Sequence, residues 1–122
     1  MILVVDDDMA MRRLLGDVLR DAGCLVIEAA NGAEALTQLN MVTPDLVVTD
    51  LKMHSGGFEY IRNLKTTLPK CPVIVVTAFG DAHSKKQAME SGVAAYFDKP
   101  MHIGDLKKTI WQTLGIADYQ GP

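Results

Sequence analysis

Polar side chains stand at the ends of the short apolar runs that recur along this 122-residue chain. In chain order, these residues are Asp6, Asp7, Asp50, Thr77 and Lys99. Three carboxylates that lie close together repel one another unless a cation binds or protons are retained. Oxygen ligands suit Mg²⁺, which takes one or two carboxylates and leaves positions for phosphate oxygens. Because a carboxylate can itself be phosphorylated, the set predicts Mg²⁺-dependent phosphoryl transfer onto an aspartate, by positioning and charge neutralisation.

The lysine and the threonine complete this chemistry. Lys99 would balance the charge of the carboxylates or hold a phosphate, and the hydroxyl of Thr77 would donate a hydrogen bond to an oxyanion. Each residue alone has an ordinary structural interpretation, and Asp8 is equally suited to capping a helix. The complete set, at the ends of the matching strands, favours the functional interpretation.

The elements that must position these residues alternate along the chain. Apolar runs predict five strands, at residues 2–5, 24–27, 46–48, 73–76 and 95–97. Helical periodicity of apolar residues predicts five helices, around residues 11–19, 35–39, 58–68, 81–91 and 103–114. Strict alternation of strand and helix is typical of an α/β domain.

Strands that are apolar throughout are buried on both faces, so the sheet is expected to be parallel with helices on both sides. Right-handed crossovers leave few topologies, and the five-stranded, doubly wound, flavodoxin-like order is the best match. Ligands of such sheets bind outside the carboxyl ends of the strands, where the five polar residues would meet. Glu28 is expected directly after the second strand. We expect one domain over residues 1–117, followed by a frayed tail or the start of a linker at 118–122.

Composition excludes several classes of protein. Hydrophobic residues make up 48% of the chain and charged residues 22%, which is globular rather than disordered composition. A formal net charge of −3 argues against direct binding of nucleic acid. Cys24 and Cys71 match no disulfide framework or metal spacing and are expected to be buried thiols. The chain has neither an apolar run long enough to cross a bilayer nor a secretion signal, so we expect no membrane contact and a cytoplasmic location.

Four segments of the chain resemble the receiver domain of two-component response regulators. The first is residues 2–8, which contains three aspartates, and the second is residues 44–53, which contains Thr49-Asp50. The third is residues 75–78, which contains Thr77-Ala78, and the fourth is residues 96–100, which ends in Asp98-Lys99-Pro100. The resemblance extends to about residue 114. It implies a phosphoacceptor domain that takes a phosphoryl group from a sensor histidine kinase or a phosphotransfer protein.

The resemblance also implies a role for each matching residue. Asp50 would be the phosphoacceptor, and Lys99 would pair with the phosphoryl group. Asp7 would bind Mg²⁺ directly together with Asp50, Asp6 would act through water, and Lys52 would supply its backbone carbonyl. In this family, the peptide bond at the position of Lys99-Pro100 is often cis.

The resemblance further implies a switch and a signalling surface. Thr77 would be the switch hydroxyl and Tyr96 the switch aromatic. They would change the surface of the fourth helix, fifth strand and fifth helix, where an output domain or a second copy would bind. The side chains at Lys52 and Phe79 would control the lifetime of the phosphoryl group, which we expect to be long. Such a domain promotes only its own phosphorylation and dephosphorylation, and is not expected to be an enzyme with separate substrates.

The sequence departs from the family pattern after Met53. His54-Ser55-Gly56-Gly57 replaces the usual proline-containing segment, and the loop is one residue shorter. We expect His54 to be solvated, because Mg²⁺ prefers oxygen ligands. Two alternatives follow: an atypical receiver that binds partners without phosphorylation, and a haloacid-dehalogenase-type phosphatase. The second requires a D-x-D-x-[TV] pattern, and Asp6-Asp7-Asp8-Met9 supplies its two aspartates but is not followed by threonine or valine.

Overall fold

The computed structural model describes residues 1–78 and 82–116, and these form ten alternating elements. In chain order they are β1 (Ile2–Val5), α1 (Met9–Asp21), β2 (Val26–Ala29), α2 (Gly32–Gln38), β3 (Leu46–Thr49), α3 (Phe58–Thr67), β4 (Val73–Thr77), α4 (Ala82–Glu90), β5 (Ala95–Asp98) and α5 (Ile103–Thr113). The predicted tail at 118–122 lies outside the described residues. None of the helices within the described ranges is long and apolar enough to cross a membrane.

The five strands form a single parallel sheet in the order β2-β1-β3-β4-β5. The predicted doubly wound, flavodoxin-like fold is therefore confirmed. Strands β1, β3 and β4 are buried along their whole length, whereas the edge strands β2 and β5 are partly exposed. The apolar runs of the three central strands reflect this burial on both faces.

The sheet separates two apolar layers. One face packs against α1 and α5, through residues that include Leu15, Leu19, Leu106 and Ile110. The other face packs against α2, α3 and α4, through residues that include Ala35, Ile61, Leu64 and Ala88. Because each central strand contributes side chains to both layers, the ends of β1, β3 and β4 are held from both sides.

The second strand differs from its prediction. It was expected at 24–27 but spans Val26–Ala29, because the Ile2 amide bonds to the Leu25 carbonyl and Ile2 pairs with Val26. Glu28 consequently lies inside the edge strand, not after it. Helix α4 covers Ala82–Glu90 within the predicted 81–91, of which residue 81 lies outside the described residues.

Helix α1 begins at a side-chain cap. The Asp8 carboxylate accepts hydrogen bonds from the backbone amides of Ala10 and Met11 at 3.0 and 3.2 Å. The capping interpretation of Asp8 is therefore correct. The cap fixes the turn that carries Asp6 and Asp7 at the end of β1.

Candidate functional site

Strand pairing brings the acidic residues to one edge of the sheet. Val5 at the end of β1 pairs with Thr49 at the end of β3, so Asp6 and Asp50 leave adjacent strands at the same level. The Asp50 amide donates to the Val5 carbonyl at 3.0 Å. Ligand oxygens of Asp6, Asp7 and Asp50 all lie within 4.8 Å of one another. The structure thus brings together the three carboxylates that the sequence singled out.

Lys99 reaches this cluster from the end of β5. Its Nζ lies 2.7 Å from Asp6 Oδ2 and 2.9 Å from Asp50 Oδ2. Its backbone amide donates to the Thr77 carbonyl at 2.9 Å, which ties the end of β5 to the end of β4. The Lys99-Pro100 peptide bond is cis, as the resemblance implied. A single ammonium group therefore bridges two buried carboxylates.

Burial and charge act in opposite directions on these groups. Burial raises the pKa of the Asp6 carboxyl above 3.8, and the hydrogen bonds from Lys99 and the Asp8 amide offset only part of this. Desolvation lowers the pKa of Lys99, but its hydrogen bonds and charge interactions with Asp6 and Asp50 outweigh desolvation and raise that pKa above 10.5. Lys99 is therefore protonated at neutral pH.

The carboxylates are also oriented by backbone amides. Asp50 Oδ1 accepts a hydrogen bond from the Lys52 amide at 2.9 Å, and Asp6 Oδ1 accepts one from the Asp8 amide at 2.9 Å. Each of these two carboxylates thus has one oxygen toward an amide and the other toward Lys99. Asp7, in contrast, is exposed.

The donor set of the cluster fits a hard divalent cation. Three carboxyl groups and one ammonium group lie close together in a small volume, so acidic groups are in excess. Oxygen-only donors with one exposed carboxylate suit a cation that retains several waters, as Mg²⁺ does. His54 is not part of this acidic cluster, and its side chain is exposed, as expected.

The predicted switch residues occupy the neighbouring strands. The Thr77 side chain is buried at the end of β4, and its hydroxyl donates to the Ala78 carbonyl at 3.2 Å. Tyr96 on β5 is partly buried and packs against the apolar layer beneath α2, α3 and α4. Phe79, which was assigned a role in phosphoryl lifetime, lies outside the described residues.

The loop between β3 and α3 packs tightly on the start of α2. The Gly32 amide donates to the His54 carbonyl at 3.2 Å. A Cβ on Gly32 would lie 1.8 Å from the Ser55 carbonyl oxygen, so only glycine allows this approach. Within the loop, Ser55 and Gly57 have positive φ values of 57° and 87°.

Three interactions beside the site were missed by the sequence analysis. Arg12 donates to the Asp6 carbonyl at 2.8 Å and pairs with Glu28 at 3.3 Å, so it ties the acidic turn to the edge strand. Thr49 and Tyr60 share a buried hydrogen bond of 2.9 Å directly below Asp50. The position of Arg12 one helical turn after Asp8 was a weak signal for its contact with the acidic turn, but not for its pair with Glu28.

The sequence model of the response regulator receiver domain matches residues 2–111. The chain belongs to this family.

Relatives of the receiver domain include both short and long proteins. This chain is 33% identical to sporulation initiation phosphotransferase F of Bacillus subtilis (strain 168), over 94% of each chain. It is 35% identical to the transcriptional regulatory protein ZraR of Klebsiella oxytoca, over 93% of this chain but 26% of that protein. This chain therefore spans about a quarter of the length of such regulators.

A solved receiver domain shares the same architecture. The receiver domain of NtrX from Brucella abortus superposes with a TM-score of 0.87 at 26% identity, over 96% of this chain and all of that chain. The chain is thus the receiver domain of a two-component response regulator, and the family match leaves the phosphatase alternative without support.

Proposed function

We propose that this receiver domain accepts a phosphoryl group on Asp50 from a phosphohistidine of a sensor histidine kinase or a phosphotransfer protein. The observation that carries the proposal is the contact of Lys99 with Asp6 and Asp50 inside a cluster of three carboxylates. A lysine held between two acids can exchange one of them for a phosphoryl oxygen without leaving the site. The family and the printed name of the Bacillus relative, a phosphotransferase, support the same chemistry.

In the proposed reaction, a carboxylate oxygen of Asp50 forms a bond to phosphorus as the bond from phosphorus to the donor imidazole nitrogen breaks. The imidazole leaves with the electron pair of that bond, and Asp50 becomes an acyl phosphate. The Lys52 amide keeps Oδ1 of Asp50 oriented at 2.9 Å, and Lys99 offsets the charge beside Oδ2. Positioning and charge neutralisation are the main sources of catalysis in phosphoryl transfer.

Mg²⁺ is the proposed cofactor. Asp7 and Asp50 would hold it directly, Asp6 through water, and Lys52 through its backbone carbonyl. When bound, the ion would neutralise charge on the phosphoryl oxygens. The exposed carboxylate of Asp7 is suited to this role because it leaves the open side of the cluster accessible to water and phosphate.

We further propose that Thr77 and Tyr96 switch the surface of α4, β5 and α5 after phosphorylation. Thr77 can turn its hydroxyl from the Ala78 carbonyl to a phosphoryl oxygen, and Tyr96 can then move toward the vacated space. An output domain or a second copy of the chain would bind this surface. The transcriptional regulators among the relatives are consistent with an output domain in some members of the family.

The proposed organisation is a receiver domain over residues 1–117 that works in the cytoplasm and binds neither nucleic acid nor membrane directly. Lys52 and Phe79 are the proposed determinants of a long phosphoryl lifetime. Lys52 is exposed two residues after Asp50 and, when charged, is a donor that cannot act as a base toward water.

Phosphorylation with a small-molecule donor tests the proposal. The chain is incubated with Mg²⁺ and acetyl phosphate, and the modified residue is located by mass spectrometry. We expect label on Asp50, none in Asp50→Asn, and normal labelling in the control Asp21→Asn, whose side chain is exposed at the end of α1. Absence of label in the wild type would favour the atypical receiver that only binds partners, and continuous phosphate release without label would favour a phosphatase.

A further inference from the structure

A buried pair of hydroxyl groups, those of Thr49 and Tyr60, is hydrogen-bonded to the backbone of Asp50 outside the acidic cluster. We propose that Tyr60 is a positioning residue for the phosphorylation of Asp50, and that it acts through Thr49. This inference rests on the proposed function, because it assigns residues that orient the same phosphoacceptor.

The pair forms a chain of hydrogen bonds that ends on the phosphoacceptor. Tyr60 Oη on α3 lies 2.9 Å from Thr49 Oγ1 at the end of β3. Thr49 Oγ1 in turn donates to the backbone carbonyl of Asp50 at 2.9 Å. The two side chains are 3% and 1% exposed, so water does not compete for these bonds.

Proton counting gives the direction of the chain. A threonine hydroxyl carries one proton, and here that proton goes to the Asp50 carbonyl. Thr49 must therefore accept from Tyr60, so the order is Tyr60 to Thr49 to the Asp50 carbonyl. Burial raises the pKa of Tyr60, and the hydrogen bond with Thr49 offsets only part of this, so the phenol keeps its proton and remains a donor.

This chain of hydrogen bonds holds the backbone carbonyl of Asp50, which makes no contact within the acidic cluster. The Asp50 amide is held by the Val5 carbonyl, and one carboxylate oxygen is held by the Lys52 amide. The carbonyl is the remaining polar group, and it belongs to the peptide that begins the shortened loop. Holding it orients both the carboxylate and the following backbone, including Lys52.

Tyr60 also lies between this loop and α2. A Cβ on Gly32 would lie 3.0 Å from Cδ1 of the Tyr60 ring, so the ring fills the space beside the Gly32 backbone. The Gly32 amide meanwhile holds the loop at the His54 carbonyl. The ring thus packs where the loop meets α2, while its hydroxyl reaches the strand end under Asp50.

Removing one hydroxyl at a time tests the inference. Tyr60→Phe keeps the ring, Thr49→Val keeps the side-chain shape, and Thr49→Ser keeps the hydroxyl. We expect Tyr60→Phe and Thr49→Val to slow phosphorylation by acetyl phosphate at saturating Mg²⁺ by about threefold to tenfold, the range that one buried hydrogen bond supplies. The double variant should react at about the rate of the slower single variant, because each substitution breaks the same chain of hydrogen bonds and their effects do not add. Thr49→Ser should retain most of the rate.

A second measurement does not depend on phosphorylation. Amide exchange of Lys52 is followed by NMR in the metal-free protein, because this amide bonds to the Asp50 carboxylate. We expect faster exchange in Tyr60→Phe and Thr49→Val than in the wild type. Thr113→Val is the matched control, since it removes a hydroxyl that bonds a backbone carbonyl within α5, and it should change neither the rate nor the Lys52 exchange.

The outcomes separate this inference from the proposed function. If the wild type is labelled on Asp50 but all variants react at the wild-type rate, the positioning role is wrong. If Thr113→Val slows the reaction as much as Tyr60→Phe, the effect is general destabilisation and the positioning role is again wrong. If the wild type takes no label, the proposed function fails. Exchange of the Lys52 amide then tests the positioning role by itself, and equal exchange in the wild type, Tyr60→Phe and Thr49→Val would overturn it.

Discussion

Lys99 is the residue on which the charge balance of the site depends. It contacts Asp6 and Asp50 at 2.7 and 2.9 Å and is itself largely buried, with 15% of its side chain exposed. Two buried carboxylates beside each other would otherwise repel and retain protons. The ammonium group offsets this repulsion, whereas the exposed Asp7 adds a carboxylate that forms no ion pair with a lysine or arginine side chain among the described residues. This remaining charge would attract a divalent cation to the cluster.

Mg²⁺ is therefore expected to stabilise the fold, because it binds the native cluster and has no such site in the unfolded chain. At a concentration about tenfold above its dissociation constant, the free energy of unfolding should rise by about 1.4 kcal/mol, which corresponds to a melting temperature higher by roughly 5 °C. Asp7→Ala should remove most of this shift, whereas Asp21→Ala should keep it. Thermal unfolding with and without Mg²⁺ measures both, and an unshifted wild type would contradict a metal site.

The buried phenol of Tyr60 gives the fold an alkaline pH dependence. Its pKa is raised from 10.0 in the folded protein, mainly by burial, so above pH 10 the unfolded chain releases a proton that the folded protein keeps. The free energy of unfolding must then fall as pH rises, by about 1.4 kcal/mol between pH 9 and pH 11 from this group. Denaturant unfolding of wild type and Tyr60→Phe across this range should give curves that converge at high pH. Parallel curves would mean that the phenol titrates equally in both states.

At the scale of elements, the loop between β3 and α3 is defined by its contact with α2. The loop reaches α2 because Gly32 has no side chain. The Gly32 amide bonds to the His54 carbonyl, and the Gly57 amide bonds back to the Leu51 carbonyl. Backbone bonds thus hold the loop to α2 at His54 and join its two ends at Leu51 and Gly57.

Gly32→Ala should consequently disturb this junction. The added Cβ would lie 1.8 Å from the Ser55 carbonyl oxygen, which is backbone and cannot rotate away. We expect a loss of about 1–3 kcal/mol in the free energy of unfolding, as for overpacked cores. Gly104→Ala on α5 is the matched control, because nothing lies within 4 Å of its Cβ, and it should stabilise by about 0.5–1 kcal/mol. Urea unfolding of both variants tests the contrast, and equal effects would refute the close packing of the loop.

Some of these elements could be predicted from the sequence and others could not. The central strands were predictable because burial on both faces leaves unbroken apolar runs, and with them came the meeting of Asp6, Asp7 and Asp50. The edge strand β2 was misplaced by two residues, because Cys24 and Leu25 look apolar but precede the first pair, Ile2 with Val26. The pairs Arg12 with Glu28 and Tyr60 with Thr49 depend on side chains from separate elements, and neither spacing nor residue type indicates such contacts.

At the scale of the whole molecule, the helices differ in how firmly they are held against the sheet. Helix α1 buries Leu15, Gly16 and Leu19, and α5 buries Leu106, Ile110 and Trp111. Of the described residues of α4, only Ala88 is buried. Segments with few buried apolar contacts open most easily. Helix α4 is therefore the element that a change at the site can move at least cost.

The site is connected to this helix through the ends of β4 and β5. Thr77 on β4 pairs with Asp98 on β5, and the Lys99 amide bonds to the Thr77 carbonyl at 2.9 Å. A shift of one of these strand ends therefore displaces the other. A phosphoryl group on Asp50 would draw the Thr77 hydroxyl away from the Ala78 carbonyl and would compete with Asp6 for Lys99. Both changes act on residues at the ends of β4 and β5, Thr77 and Lys99, next to α4.

We therefore expect beryllofluoride, a phosphoryl mimic, to change amide exchange most at Thr77 and across residues 82–111 in the presence of Mg²⁺. The interior of α1 should change little, because its apolar face is firmly packed and Arg12 ties its start to Glu28. Hydrogen exchange followed by mass spectrometry measures this, with Asp50→Asn as the control that should show no response. Changes confined to residues 50–57 would contradict the switch while leaving phosphorylation of Asp50 intact, because the mimic would then be bound without being transmitted to α4.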